Sequence, residues 1–206
     1  MNGLVEFMLP YIVLAGAAIS LTGSMFYLKD TLRGVTKPNR VSWLLWCVAP
    51  LLGAAASLSA GVTWAALPTF MAGFGPLLVL IASFATKKAY WKLEGIDYLC
   101  GFFSVLALVL WVVTKDPSIA IVFAIATDAL ASIPTITKSW RHPETESSYS
   151  YSPSIISALT AFTVITAWTF PEYAFPAYLV VINIILTLPW FWRKDTWLAK
   201  KRSHKL

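Results

Sequence analysis

The sequence predicts an all-α integral membrane protein. Of its 206 residues, 58% are hydrophobic and 13% are charged, and the mean hydropathy is +0.68, which lies far outside the range of soluble domains. The apolar residues gather in stretches of about 20, the length that an α-helix needs to cross a hydrocarbon core of about 30 Å. Because these stretches do not alternate apolar with polar residues as barrel strands do, helices are the expected spanning structure.

Seven stretches meet this description, and we predict a transmembrane helix in each of 7–28, 41–61, 64–85, 96–114, 118–138, 150–169 and 173–192. Together they leave no room for a soluble domain. No Lys or Arg precedes the first stretch, so we expect it to remain as a helix and not to be cleaved as a signal peptide. Cys47 and Cys100 fall inside predicted helices without a paired spacing, which favours small core residues over a disulfide or metal site.

The basic residues predict the orientation of the chain in the membrane. If the amino terminus lies outside, every one of the 16 Lys and Arg residues except Lys115 falls on the cytoplasmic side, as the positive-inside rule expects: Lys29, Arg33, Lys37, Arg40, Lys87, Lys88, Lys92, Lys138, Arg141, Arg193, Lys194, Lys200, Lys201, Arg202 and Lys205. The basic tail then contacts anionic headgroups and not nucleic acid. We expect residence in a prokaryotic cytoplasmic membrane, with a cytoplasmic carboxyl terminus.

The chain also contains a weak internal repeat. When the sequence is aligned with itself so that Pro38 matches Pro143, Arg33 also matches Lys138. A small further shift matches Pro68 with Pro176. The fourth predicted helix has no partner, so both copies would have the same orientation, as in a parallel repeat. We therefore predict a 3+1+3 architecture, with a first triple-helix bundle in 1–92, a linker helix in 93–116 and a second triple-helix bundle in 117–206.

The stretch PTITKSWRHPETESSYSYSP, residues 134–153, resembles the PQ-loop pattern of the SWEET and SemiSWEET sugar transporters and of lysosomal PQ-loop proteins. It has a proline near a helix end, a basic residue, a short polar loop with Glu, and Ser and proline opening the next helix. Thr135 stands where that pattern has glutamine, and the first repeat has Lys29 where the second has Pro134. The resemblance implies two triple-helix bundles joined by one helix, with the amino terminus outside, and a carrier function.

Asp128 is the most informative single residue of the sequence. It lies about ten residues from each end of its predicted helix, near the midplane, where an ionised carboxylate without a partner costs several kcal/mol. A carboxyl group at this depth could exchange a proton with a cavity that opens to either side. The alternative is a protonated structural Asp that is hydrogen-bonded to its neighbours.

Other polar residues complete the predicted substrate site. Asn183 also lies near the midplane, where it either binds solute or joins helices as polar packing. Thr160, together with Ser157 and Thr163, either lines a cavity or bonds back to its own helix. We add Thr127, beside Asp128, to the predicted site.

The resemblance extends this site. SWEET-type transporters hold substrate with an Asn on the final helix of a bundle, which Asn183 matches and whose counterpart in the first repeat is Gly75. The same family stacks a Trp from the later part of the sixth helix on the substrate, and Trp168 matches that position, although a membrane-interface role is the ordinary one for Trp there.

Proline can provide hinges, because it removes a backbone donor and kinks a helix. We assign hinge roles to Pro134 and Pro153, whose pattern matches the family, and to Pro50. Trp46, like Trp43, lies just inside the cytoplasmic edge, where it either packs in an inner gate or belongs to the aromatic belt. Static kinks and helix starts are the alternative, and Pro68 and Pro176 lie near predicted helix starts.

These features favour a carrier that moves a small polar solute by alternating access, in which Asp128 could provide a linkage to protons. The alternative is a membrane receptor or sensor of the same fold that binds a ligand without moving it. A retinal protein is excluded because the seventh helix has no Lys for a Schiff base, and an enzyme is not expected because no paired carboxylates, metal-ligand or nucleotide motif occur. We expect no cofactor, and the sequence leaves open whether the chain forms a homo-oligomer.

Overall fold

The computed structural model describes residues 3–86, 92–114 and 116–203, and within them the chain is helical, without β-strands. The all-α prediction is therefore confirmed. The described residues form seven α-helices: α1 (Gly3–Arg33), α2 (Arg40–Ser59), α3 (Leu67–Ala85), α4 (Gly95–Thr114), α5 (Pro117–Arg141), α6 (Tyr151–Ala161) and α7 (Phe170–Ser203). Short 3-10 turns occupy Trp64–Ala66 and Pro143–Thr145.

Five helical segments are long and apolar enough to cross a membrane, judged by length and composition: Phe7–Arg33, Arg40–Ser59, Trp64–Ala85, Pro117–Arg141 and Phe170–Trp192. This agrees with the predicted membrane protein. Of the basic residues used to predict orientation, Lys87, Lys88, Lys115 and Lys205 lie outside the described residues.

The prediction of a sixth helix over 150–169 is wrong for the second half of that range. Helix α6 ends at Ala161 after 11 residues, and so it covers only about 16 Å at about 1.5 Å per residue. Residues 162–169 form turns and irregular backbone, and the carboxylate of Glu172 accepts hydrogen bonds from the backbone N–H groups of Ala167 (3.1 Å) and Trp168 (3.0 Å). In a continuous helix these two N–H groups would donate to carbonyls one turn earlier. Here Glu172 of α7 accepts from them instead, so the backbone is satisfied without a helix.

Helix starts follow from local capping chemistry. Asn39 Oδ1 accepts from the backbone N–H of Val41 (3.1 Å) and caps α2. Asp116 Oδ1 accepts from Ser118 N (2.8 Å), and Pro117 occupies the first position of α5, where its missing N–H costs nothing. Asn and Asp at these positions satisfy the first backbone donors of each helix.

Six helices form a closed ring. Helix α3 packs against both α1 and α2, α7 packs against both α5 and α6, and the ring is closed by contacts of α2 with α5 and of α1 with α6. Helix α4 packs mainly on α5 and to a lesser extent on α2. Glycines allow the close approaches, because Gly16 lies directly against Thr160 and Gly53 against the ring of Phe175. This ring positions six helices around a common centre.

Loops cover the ring at two ends. At one end, residues 34–39 meet residues 142–150, and the backbone N–H of Lys37 donates to the carbonyl of Thr145 (3.0 Å). We call this the basic end. At the opposite end, Val62, Ala65 and Ala66 pack with Ala161, flanked by Val164 and Ile165. We call this the apolar end, since the contact there is made by hydrophobic side chains.

Candidate functional site

A small cavity lies at the centre of the ring, and all six ring helices or the loops that lead into them contribute to its wall. It offers about 40 Å³ in which the centre of a water molecule fits, which is room for on the order of three waters. Its lining residues are Ser24, Trp43, Trp46, Met71, Ala72, Pro76, Asp128, Ser150, Tyr151, Ser154, Leu179, Ile182, Asn183 and Leu186.

Asp128 is held in place by contacts from three helices. Only 3% of the residue is exposed, and the hydroxyl of Tyr178 on α7 donates to its carboxyl Oδ2 (2.7 Å). Its backbone carbonyl accepts from Ser132 Oγ (2.8 Å) and from Trp46 Nε1 of α2 (3.3 Å), and Trp46 Nε1 also donates to Ser132 Oγ (3.1 Å). A buried carboxyl group with a defined orientation therefore faces the cavity.

Asn183 presents an acceptor to the cavity. Its amide nitrogen donates to the carbonyl of Leu179 on the same helix (2.8 Å), and the hydroxyl of Thr187 donates to the Asn183 backbone carbonyl (2.7 Å). Because one of its two amide N–H donors is used within α7, Asn183 has its oxygen, Oδ1, and one further N–H to offer to the cavity.

Trp43 brings an unused donor to the cavity wall. Its side chain is fully buried and packs between Tyr27 (ring centroids 4.7 Å apart) and Trp46 (5.6 Å). Among the described residues, Trp43 Nε1 has no hydrogen-bond partner. Since a buried indole N–H normally finds an acceptor, this donor indicates a place where a bound molecule or a water supplies one.

A buried ion pair closes the cavity toward the basic end. Lys138 Nζ pairs with the Glu146 carboxylate, with side-chain exposures of 1% and 4%, and Lys138 also donates to the carbonyl of Lys37. The hydroxyls of Tyr27 (2.6 Å) and Tyr151 (3.1 Å) donate to Glu146 Oε2. We call this set of contacts the Lys138–Glu146 closure. Tyr151 also lines the cavity, so the closure and the cavity share a side chain.

The start of α4 is attached to the same end of the ring. Asp97 is buried, and its carboxylate accepts from Asn39 Nδ2 (2.5 Å) and from the backbone N–H of Glu94 (2.5 Å). Arg40 Nη2 donates to the carbonyl of Ser83 at the end of α3 (2.5 Å). The Asn39 side chain thus caps α2 and binds α4 at once, which couples these two helices at the basic end.

The structure brings some of the predicted site residues together. Asp128, Asn183 and Trp46 all line the cavity. Gly75 lies beside the lining residue Pro76 and packs against the Ser24 side chain. Thr127 is fully buried on α5 but is not part of the cavity wall.

The remaining predicted substrate contacts lie elsewhere. Thr160 donates to the carbonyl of Ser157 (2.6 Å) and packs against Gly16 at the contact of α1 with α6. Trp168 is 60% exposed, has a backbone φ of +50° and stacks on Phe162 (6.1 Å) near the apolar end. Neither side chain lines the cavity in this arrangement.

The predicted hinge prolines occupy two kinds of position. Pro50 and Pro134 lie inside α2 and α5, where each interrupts the backbone hydrogen bonding of a long helix. Pro153 lies in the first turn of α6 and packs on Gly23 of α1, a position where proline begins a helix without distorting it.

Sequence reasoning missed Tyr178, the free N–H of Trp43 and the pairing of Lys138 with Glu146. Lys138 and Glu146 border a polar loop, where charges ordinarily contact water or headgroups, so their burial leaves no local signal. Tyr178 lies in the same helix as Asn183, and only the rotation of α7 relative to α5 brings its hydroxyl to Asp128.

Comparisons of the chain with protein-family models, with curated proteins and with solved structures give no match.

Proposed function

We propose that the chain is a membrane carrier for a small polar solute. The observation that supports this most directly is a central cavity with a buried carboxyl group, in a ring whose loops contact each other at both ends. Alternating access requires a site near the membrane midplane and a separate closure on each side of it. An isolated structural Asp would need neither the cavity nor the paired closures.

The packing order of the helices supports two related halves. The sequence of contacts α1 with α3 with α2 is repeated as α5 with α7 with α6, and the two sets meet through α2 with α5 and α1 with α6. This is the order expected if α1 to α3 and α5 to α7 are parallel triple-helix bundles related by an axis along the membrane normal, with α4 as the linker helix. In this 3+1+3 proposal the cavity lies between the bundles.

Transport would proceed by rocking of one bundle against the other. Separation of the loops at the basic end breaks the Lys138–Glu146 closure, while separation at the apolar end opens the contact of Val62 with Ala161. Pro50 and Pro134 lie in the two helices that pack against each other across the bundle contact, where a kinked backbone accommodates a change of angle. By the positive-inside rule, the basic end faces the cytoplasm.

A cross-link between the two loops of the basic end tests this proposal. The backbone hydrogen bond from Lys37 to Thr145 places their Cα atoms at a separation that a disulfide can bridge. In a Cys47→Ala/Cys100→Ala background, the Lys37→Cys/Thr145→Cys pair should form a disulfide on mild oxidation. Counterflow of labelled small amines, polyols and amino acids into proteoliposomes should stop on oxidation and return on reduction.

The matched controls are the two single cysteine variants, which should keep counterflow under oxidation. Counterflow that continues with the cross-link fully formed contradicts rocking at this end. Binding of a labelled solute with no counterflow, in any redox state, would favour the receptor or sensor alternative.

A further inference from the structure

The wall of the cavity offers several hydrogen-bond acceptors. Ser24 and Ser154 use their hydroxyl protons on backbone carbonyls of their own helices, Ser20 (3.1 Å) and Ser150 (2.8 Å). Their lone pairs are what they offer to a ligand. The Asp128 carboxyl group and Asn183 Oδ1 add further acceptors.

Several donors near the cavity are already used. Trp46 Nε1 donates to Ser132 and to the Asp128 backbone, and the Tyr151 hydroxyl donates to Glu146. Of the lining residues, Trp43 carries the buried N–H that has no acceptor among the described residues. The second N–H of Asn183 and the hydroxyl of Ser150 are further donors of the wall, so a ligand that complements it has several donors and at least one acceptor.

From this complementarity we propose that the cavity binds a small protonated amine that carries one hydroxyl or ether oxygen. The ammonium group supplies three donors to Asp128, Asn183 and the serine lone pairs, and its charge matches the single carboxyl group of the wall. The oxygen accepts from Trp43 Nε1. In the part of the chain that the structure describes, no Lys, Arg or His lines the cavity, so a ligand carboxylate would meet Asp128 without a compensating cation, which disfavours amino acids.

The aromatic wall favours the same chemistry. Trp43, Trp46 and Tyr151 all line the cavity, and aromatic faces attract ammonium groups by cation–π interaction. The small free volume limits the ligand to a few non-hydrogen atoms unless the ring widens. This inference rests on the proposed carrier function, because it names the solute class that the same cavity would move.

A ligand series of nearly equal size tests the inference on the full-length protein purified in detergent. Ethanolamine carries both the ammonium and the hydroxyl, ethylamine lacks the acceptor, ethylene glycol lacks the charge, and glycine replaces the hydroxyl with a carboxylate. By titration calorimetry, ethanolamine should bind about 2- to 12-fold more tightly than ethylamine, the value of one ordinary hydrogen bond. It should bind on the order of 10- to 100-fold more tightly than ethylene glycol, as expected for hydrogen bonds to a charged group.

Two substitutions assign these differences to atoms. Trp43→Phe keeps an aromatic ring, though a smaller one, and removes the N–H, so ethanolamine and ethylamine should then bind equally. Asp128→Asn keeps the shape and removes the charge, so the preference for ethanolamine over ethylene glycol should disappear. Trp192→Phe and Asp30→Asn are the matched controls, since Trp192 is 79% exposed and Asp30 lies away from the cavity, and both should keep the wild-type ranking.

The outcomes separate the ligand from the function. Equal or tighter binding of ethylene glycol or glycine, or no binding of ethanolamine, overturns the ligand class, and the wild-type series decides this even if a variant does not fold. Ethanolamine binding without counterflow in proteoliposomes supports the ligand class and contradicts the carrier. Counterflow of a neutral polyol without ethanolamine binding supports the carrier and overturns the ligand class.

Discussion

Removing one partner of the Lys138–Glu146 closure should cost far more than removing both charges. The two side chains are almost completely buried, and a buried pair that loses one member leaves an uncompensated charge, at a cost of about 3–5 kcal/mol. Lys138→Met keeps the length of the side chain and leaves the Glu146 carboxylate with only the Tyr27 and Tyr151 hydroxyls. We therefore expect Lys138→Met to lower the free energy of unfolding by about 3–5 kcal/mol.

The double variant Lys138→Met/Glu146→Gln separates charge from shape. Gln is nearly isosteric with Glu and keeps a side-chain oxygen that can accept from both tyrosine hydroxyls. The bond from Lys138 to the Lys37 carbonyl is then lost, at about 0.5–1.5 kcal/mol. The double variant should thus be more stable than Lys138→Met alone, by about 2–4 kcal/mol.

Chemical unfolding of the purified variants in a fixed detergent measures these differences, and the full mutant cycle with Glu146→Gln gives the coupling energy. The control is Lys29→Met, because Lys29 is an exposed basic residue of α1 and its loss should change stability by less than about 0.5 kcal/mol. A double variant that loses as much stability as the sum of the two single variants would refute the buried closure, since charges that do not interact have additive effects.

Two further predictions concern the cavity carboxyl group and the helix contacts. Uptake into proteoliposomes should respond to an imposed pH gradient, and Asp128→Asn should abolish that response. The control variant Asp30→Asn should retain it. A solute flux that changes neither with the gradient nor with Asp128→Asn would contradict the proton linkage. Gly53→Ala should destabilise the protein by about 1–3 kcal/mol, because the added Cβ would approach the Phe175 ring to 2.6 Å. Gly95→Ala should be neutral in thermal unfolding, because no atom of the described residues lies within 4 Å of the added Cβ.

The helical segments were predictable from sequence wherever a long apolar run ended at a local signal. Asn39 and Asp116 cap α2 and α5, and capping depends only on residues within one turn. The failure at 162–169 has a different cause. The Glu172 carboxylate that binds the backbone of Ala167 and Trp168 belongs to the next helix, so hydropathy alone extends the sixth helix too far.

The same distinction between local and long-range signals applies to the candidate site. Depth in the membrane identified Asp128 and Asn183, because position along a helix fixes depth once the helix is known. The sequence did not predict which side of a helix each side chain occupies. Tyr178 contacts Asp128, whereas Thr160 packs on Gly16 and not on the cavity. A rotation of either helix by one residue would exchange such roles without altering hydropathy.

The two closures differ in chemistry, and this difference bears on which end opens more readily. Opening the basic end returns both Lys138 and Glu146 to water, and the hydration they regain offsets much of the lost attraction. Opening the apolar end exposes the cluster of Val62, Ala65, Ala66 and Ala161, at about 25 cal/mol for each Å² of apolar surface with no compensating hydration. The same ion pair that is costly to break by substitution is therefore inexpensive to separate by motion, and a carrier built this way would open more easily at its basic end.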